Sequence, residues 1–263
     1  MEIISSTQNP KIKNIIRLAK SRERREQGLF IIEGARELSL ALAAKYEIDS
    51  VFLCPLLFAK TDYPLVLESI PESKICEVSE GVFNKIAYRE GSDGLLVLAK
   101  PKQHTLLNLY LPDNPIIITL EAVEKPGNLG AILRTADAAQ ADAVIICDPA
   151  TDLYNPNVVR SSVGCLFTVP IAVCSSEEAL SFFNQKGIKT FAAELQASRW
   201  YHETDFTSPS AIVMGTEADG LTPFWIDNAD ERIKIPMRGK IDSLNVSVST
   251  AILTFEAMRQ RGF

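Results

Sequence analysis

Two consecutive α/β domains, the second built on a mostly parallel sheet flanked by helices, are what this sequence predicts. Three observations carry that expectation. Short apolar runs alternate with amphipathic helical segments through both halves of the 263 residues. A stretch containing Pro101, Pro112 and Pro115 separates the two blocks. In the second block apolar strands run out into glycine-containing turns that open helices, as a parallel sheet requires.

The first helix is expected over residues 10–27. Asn9 suits its cap, Pro10 its first turn and Gly28 its stop. Ile12, Ile15, Ile16 and Ala19 fall on one apolar stripe, with Lys13, Arg17, Lys20 and Arg24 on the far side. A strand over 29–32, a helix over 34–45, a strand over 49–53, a helical segment, a strand over 74–78, a short helix over 80–86 and a strand over 94–99 complete a smaller α/β domain at residues 1–100. Residues 101–114 read as the linker. In the domain at 115–263, strands are expected at 116–120, 143–147, 167–169, 189–193, 211–214 and 232–235. Helices are expected at 127–139, 157–163, 177–184, 223–228 and 244–261.

Composition narrows the chemistry. Hydrophobic residues make up 46% and charged residues 23%, the balance of a globular protein, and no apolar run approaches a bilayer-spanning length. The N-terminus lacks the pattern of a signal peptide, so a cytoplasmic location and no membrane partner are expected. Five cysteines with no C-x-x-C pair argue against a disulfide framework. His104 and His202 stand apart from each other and from any cysteine, which leaves no material for a zinc site or a histidine triad, and no metal is expected.

The net charge of −6 argues against nucleic acid, but its distribution argues otherwise. Between Pro10 and Arg25 lie Lys11, Lys13, Arg17, Lys20, Arg22, Arg24 and Arg25 against the single acid Glu23. Such a helix is either a solvated surface face or a phosphate-contacting one. Lys11, Lys13, Arg17, Lys20 and Arg24 are the candidate RNA-binding residues.

Three turns carry candidate chemistry. In residues 124–137 a strand ends, Pro126-Gly127-Asn128 turns, and a helix begins, with Asn128 at its start and Arg134 roughly 9 Å along its axis. Beyond the carboxyl ends of parallel strands is where open α/β sheets bind ligands. The spacing of Gly127 and Gly130 is not that of a dinucleotide loop, which sets aside a nicotinamide-dependent dehydrogenase. In residues 213–222 a strand runs into a turn bracketed by Gly215 and Gly220. Gly215 permits close backbone approach to a ligand, and Glu217 is exposed or paired with a cation. In residues 235–250 a loop rich in serine and asparagine leads into the last helix, whose Val248, Ala251, Ile252 and Phe255 form an apolar stripe; capping is the simplest use of Ser243, Asn245 and their neighbours.

Taken together, N-L-G-A-I-L-R-T-A-D at 128–137, G-T-E-A-D-G-L at 215–221 and I-P-M-R-G-K-I-D-S-L-N-V-S at 235–247 resemble, in order, the three signature motifs of the SpoU (TrmH) family of SPOUT methyltransferases. Ser249-Thr250 depart from the small apolar residues usual just after the third motif. Through S-S-T-Q-N-P-K-I-K at 5–13 and F-I-I-E-G-A-R-E-L at 30–38, the first hundred residues resemble the family's L30e-like RNA substrate-binding domain.

The resemblance implies a SPOUT-type sheet closed by a deep trefoil knot, a homodimer with active sites at the subunit interface, and S-adenosyl-L-methionine as cofactor. It implies that Gly215, Ile235, Met237 and Leu244 hold the cofactor, and that Arg134, Asn128, Glu217, Ser243 and Asn245 are the catalytic residues. The implied activity is methylation of a ribose 2'-hydroxyl in structured RNA, with ribosomal RNA preferred because a separate domain is dedicated to recruiting a target. Transfer RNA, or a SPOUT RNA-binding protein that has lost catalysis and serves ribosome assembly, are the alternatives. The resemblance makes Arg134 the catalytic residue, and a guanidinium keeps its proton in proteins. A phosphate clamp that also stabilises the developing alkoxide is the chemistry such a group suits best.

Overall fold

A computed structural model describes residues 2–59, 64–89 and 91–262. The chain divides into two compact units: Met1–Lys102 with Asp152–Thr168, and Gln103–Thr151 with Val169–Phe263. Residues 152–168, placed by sequence in the second domain, cluster with the first unit.

In chain order the elements are β1 (Glu2–Ile4), α1 (Pro10–Arg17), α2 (Ser21–Gln27), β2 (Phe30–Glu33), α3 (Ala35–Ala43), β3 (Ile48–Leu53), α4 (Pro55–Phe58), β4 (Ile75–Val78), α5 (Glu80–Ile86) and β5 (Leu95–Ala99). Of the helical segment expected after residue 53, α4 and a 3-10 turn at Pro64–Leu67 are seen, and residues 60–63 lie outside the described residues. There follow β6 (Ile116–Glu121), α6 (Pro126–Ala138), β7 (Ala143–Cys147), α7 (Pro156–Ser161), α8 (Cys165–Thr168), β8 (Ile171–Cys174), α9 (Ser176–Lys186), β9 (Lys189–Ala193), β10 (Arg199–Trp200), β11 (Ser210–Met214), α10 (Pro223–Asn228), β12 (Glu231–Lys234) and α11 (Val246–Arg261).

The first unit holds a mixed sheet of order β1-β4-β3-β5-β2, in which β5 runs antiparallel to β2 and β3. Its N-terminal helix is not continuous. α1 ends at Arg17, α2 starts at Ser21, and Gly28 stops α2 in the left-handed conformation (φ 61°) that glycine adopts without penalty. The break has a visible cause. The Arg24 guanidinium donates from Nη1 to the carbonyls of Leu18 and Ala19, both at 2.8 Å, closing off the end of α1. Because the helix breaks, its buried stripe is Ile12, Ile15 and Leu18, while Ile16 is 44% exposed and Ala19 faces solvent. In the same unit, Phe30, Tyr46, Tyr154 and Phe167 form an aromatic cluster, with the Tyr46 and Tyr154 hydroxyls 3.1 Å apart. Burial pushes both phenols upward from their ordinary values.

The second unit is a seven-stranded, wholly parallel sheet of order β10-β12-β9-β11-β6-β7-β8. Every residue of β6, β7 and β11 is buried, the signature of strands covered on both faces. The strand expected at 167–169 is instead the end of α8, and the true strand begins at Ile171, after Pro170. A short apolar run flanking a proline reads equally well as buried helix or strand. The two-residue edge strand β10 and the three-residue β1 carry too little pattern to be read from sequence.

The chain runs from β6 outward to β7 and β8, then crosses so that β11 returns beside β6. That reversal places the ends of β9, β11 and β12 on one side of a switch point, where open α/β sheets hold ligands. α11 packs on α6 and β11, and its buried residues are Val246, Thr250, Leu253, Thr254 and Ala257. The apolar stripe of Val248, Ala251, Ile252 and Phe255 is largely outward: Val248 is 47% and Phe255 40% exposed. Thr250, one of the departures from the family pattern, sits in the buried face with its hydroxyl donated to the Val246 carbonyl at 2.7 Å.

Candidate functional site

The carboxyl ends of β9, β11 and β12 and the loop into α11 enclose a cavity of about 380 Å³, within the roughly 300–1,000 Å³ of small-molecule sites. Met214, Leu221, Ile226 and Ile233 make its apolar walls. Its charged lining is Glu194, Glu217, Asp219 and Asp242 against Lys234 alone, so the cavity favours a ligand carrying positive charge. Gly215, Ile235, Met237 and Leu244, the four expected cofactor-holding residues, all line it, as does Ser243. The Ser243 hydroxyl donates to Asp242 Oδ1 at 3.3 Å.

Gly215 is also required by the fold of its own turn. A Cβ there would stand 2.2 Å from the carbonyl carbon and oxygen of Gly220. The turn folds back so that Thr216 and Gly220 exchange backbone hydrogen bonds at 2.9 and 3.2 Å. The close approach is the chain's own, and it shapes the turn that presents Glu217.

Glu217 is where the three sequence-distant turns meet. Its Oε1 accepts from Asn128 Nδ2 at 2.6 Å and from Asn245 Nδ2 at 2.5 Å, and Asn245 Nδ2 also reaches Asn128 Oδ1 at 3.1 Å. Its other oxygen is paired with Lys125. That ammonium above all, then the Asn128 donor, holds the Glu217 carboxyl below the usual carboxylate range. Glu217, Asn128, Lys125 and Val246 also line a small adjoining cavity of about 60 Å³.

Each partner is placed by local structure. Asn128 lies in the first turn of α6, which Pro126 initiates and whose Leu129, Ile132, Leu133 and Ala136 are buried as the periodicity requires. Asn245 caps α11, accepting from Ser247 N at 3.0 Å and Ser247 Oγ at 2.6 Å. Capping and site chemistry, separate alternatives in sequence, are here two ends of one amide. The turn carrying Glu217 is anchored behind by Glu121, a buried acid at the end of β6 that accepts from Thr222 N at 2.8 Å and Thr222 Oγ1 at 2.6 Å.

Arg134 is not part of this joint. It is exposed on α6 and, among the described residues, makes no ion pair or hydrogen bond. Lys125, Glu121 and Glu194 escaped the sequence reading. Glu121 interrupts no apolar period strongly enough to stand out, and the other two acquire meaning only through long-range partners.

In the first unit the expected RNA-binding cations divide. Lys13 and Lys20 are exposed and, among the described residues, unpaired; Lys11 pairs with Glu2 at 2.5 Å and Arg17 with Glu23 at 2.9 Å, both cations remaining half-exposed or more. Arg24 is a correction: it is 4% exposed, its Nη2 lies 2.6 Å from Asp152 Oδ2, and its remaining donors close α1. A guanidinium so buried and engaged is not available to phosphate. Among the described residues no cluster of histidine, cysteine or acidic side chains could hold a metal ion, and no helix is long and apolar enough to cross a membrane.

Comparison with known proteins places the chain in a family. The SpoU rRNA Methylase family is matched over residues 115–255, and the MRM3-like substrate binding domain over residues 9–97. A crystal structure described as an RNA 2'-O ribose methyltransferase is 38% identical, with a TM-score of 0.85 over 98% of this chain and 99% of that one. An AdoMet-bound rRNA methyltransferase from Sinorhizobium meliloti is 28% identical, with a TM-score of 0.88 over 98% and 97%. The 23S rRNA (guanosine(2553)-2'-O)-methyltransferase RlmP of Bacillus subtilis is 28% identical over 97% of this chain and 98% of its own.

Proposed function

This chain belongs to the SpoU rRNA Methylase family, and on that premise we propose that it transfers a methyl group from S-adenosyl-L-methionine to a ribose 2'-hydroxyl of ribosomal RNA. The observation that carries the reading is the joint of Asn128, Glu217 and Asn245 beside an acidic cavity. It ties all three motif turns to one point and orients side chains that a protein retired from catalysis has no reason to hold so closely. The ribosomal target follows the Bacillus subtilis relative, whose name assigns it a 23S rRNA guanosine.

The cavity suits the cofactor by size and by sign, since a sulfonium and an ammonium against one carboxylate leave a net cation. Bound there, S-adenosylmethionine supplies an activated methyl group on sulfur. The backbone around Gly215, Ile235, Met237 and Leu244 would hold it, in turns that by family likeness form a deep trefoil knot. Asn128 and Asn245 fix Glu217, and Lys125 keeps its carboxylate ionised, so Glu217 orients neighbouring donors rather than giving up a proton. Arg134 clamps the nucleotide phosphate and stabilises the charge that develops on the 2' oxygen as its proton passes to solvent water. Alignment of donor and acceptor supplies much of the remaining acceleration.

Arg134 acts within a homodimer in this reading. Two features support that: Arg134 is exposed and uncommitted on α6, and α11, which packs on α6, turns Val248 and Phe255 outward. An apolar stripe of this kind suits a self-complementary interface. The first unit recruits RNA through Lys13 and Lys20 with Lys11 and Arg17, in accord with its match to a substrate-binding domain, and the protein works in the cytoplasm.

The decisive experiment compares 2'-O-methylation across total RNA from a deletion strain and its parent. Loss of one ribosomal ribose mark is expected, restored by the wild-type gene. Loss of a base methyl group overturns the reaction, and loss of a transfer-RNA mark overturns the target.

A further inference from the structure

One covered acid at the strand ends takes no part in the joint. Glu194 directly follows β9, and its backbone N–H donates to the Ile233 carbonyl at 2.9 Å, fixing it against β12 just before the chain turns to Ile235. It lines the cavity. Its side chain is 14% exposed, and its Oε2 is buried with no hydrogen-bond partner among the described residues. Arg232 forms a long ion pair with it, Nη1 at 3.7 Å, beyond hydrogen-bonding reach, and the Arg232 side chain is 52% exposed. Glu121, the other acid covered at the strand ends, is by contrast saturated by Thr222 and Ser176. A buried carboxylate oxygen that accepts nothing is unfavourable and is normally matched by a donor. Glu194 lines the cavity, so a ligand seated there is a source of that donor once the carboxylate turns toward it.

We propose that Glu194 is a binding residue for the cofactor, its Oε2 accepting a hydrogen bond from S-adenosylmethionine. The inference rests on the methyltransferase reading above. Two donors of that ligand have the required chemistry, the ribose diol and the α-ammonium group.

Calorimetric titration separates them without recourse to turnover. The probes are S-adenosylhomocysteine, which carries both donors, and 5'-methylthioadenosine, which keeps the ribose and lacks the ammonium. The proteins are wild type, Glu194→Gln and Glu194→Ala, each checked by thermal melting; the glutamine variant preserves volume should the alanine variant fold poorly. S-Adenosylhomocysteine is expected to bind Glu194→Ala about tenfold or more weakly, the usual scale for losing a charged hydrogen bond. Equal weakening of 5'-methylthioadenosine assigns the ribose. Weakening confined to S-adenosylhomocysteine, with Glu194→Gln nearly as damaging as Glu194→Ala, assigns the ammonium. If both folded variants bind S-adenosylhomocysteine like wild type, the role of Glu194 is refuted while the methyltransferase reading stands. If wild type itself binds neither probe, the methyltransferase reading fails and this inference with it.

Discussion

Asn245 donates its side-chain N–H to Glu217 Oε1 at 2.5 Å while its amide oxygen receives the backbone N–H of Ser247 at 3.0 Å. One amide thus starts the last helix and anchors the carboxylate of the second motif turn. The two duties can be separated. Serine keeps a capping acceptor but is too short to reach Glu217, so Asn245→Ser should leave unfolding free energy within about 1 kcal/mol of wild type. It should lower kcat/KM on the order of 100-fold, the scale of a misplaced catalytic group. Denaturant unfolding and a methyl-transfer assay measure the two; unchanged turnover would remove the joint from the mechanism.

Lys125 holds Glu217 ionised, and the consequence for pH has a definite sign. The Glu217 carboxyl lies below the ordinary 4.5 in the folded protein. The stability this supplies is therefore present above pH 4.5 and is lost as pH falls through the lowered value. Lys125→Ala should melt below wild type at about pH 6, and the difference should shrink as pH falls below the ordinary carboxylate range and through the lowered value. A gap that persists in acid would mean that Lys125 acts through packing instead.

Arg134 and Asn245 should complement each other across subunits. Each of Arg134→Ala and Asn245→Ala alone is expected to be nearly inactive. If the two residues serve one site from different protomers, random mixing of the variants gives heterodimers with one intact site, restoring about a quarter of wild-type activity. Recovery is checked by refolding or co-expressing the pair. Mixtures no better than either parent would place both residues in one protomer's site.

Cations of the first unit should respond in two distinct ways. Lys13→Ala and Lys20→Ala should leave the melting temperature unchanged and each reduce the salt dependence of RNA binding by about one counterion. Arg24→Ala removes a buried guanidinium from Asp152 and from two helix-end carbonyls, and should destabilise the protein by about 3 kcal/mol. Filter binding over a salt series, with calorimetric melting, distinguishes them.

Thr119 offers a gain rather than a loss. Its hydroxyl is fully buried in β6 and has no hydrogen-bond partner among the described residues. Thr119→Val replaces it with a methyl group of similar shape and should stabilise the fold by about 1 kcal/mol. Denaturant titration tests this, and a destabilised variant would reveal an unseen partner for the hydroxyl.

What the sequence made legible follows from what is local. Apolar periodicity found α6 and the buried strands, and cap residues such as Asn9 and Gly28 marked helix ends, because those signals lie within a few residues of their effect. The break between α1 and α2 did not show, since its cause is the Arg24 guanidinium turned back on Leu18 and Ala19 and held by Asp152 far along the chain. Phe167 read as strand because burial alone does not distinguish its short helix from a strand. In the site, family likeness singled out Asn128, Glu217 and Asn245, which the fold brings into contact. Lys125, and the reason Gly215 must lack a side chain, became visible only with the turn at Gly220 in place.

The affiliation of residues 152–168 with the first unit bears on how the protein can be dissected. A fragment cut in the linker and starting near residue 115 would carry Tyr154 and Phe167 away from Phe30 and Tyr46, and Asp152 away from Arg24. Those side chains would meet water with nothing to cover them, making the fragment prone to aggregate. A soluble catalytic half therefore calls for recoding of that excursion, and poor behaviour of a simple truncation would report on its stranded aromatics rather than on any dependence of methyl transfer upon the recruiting half.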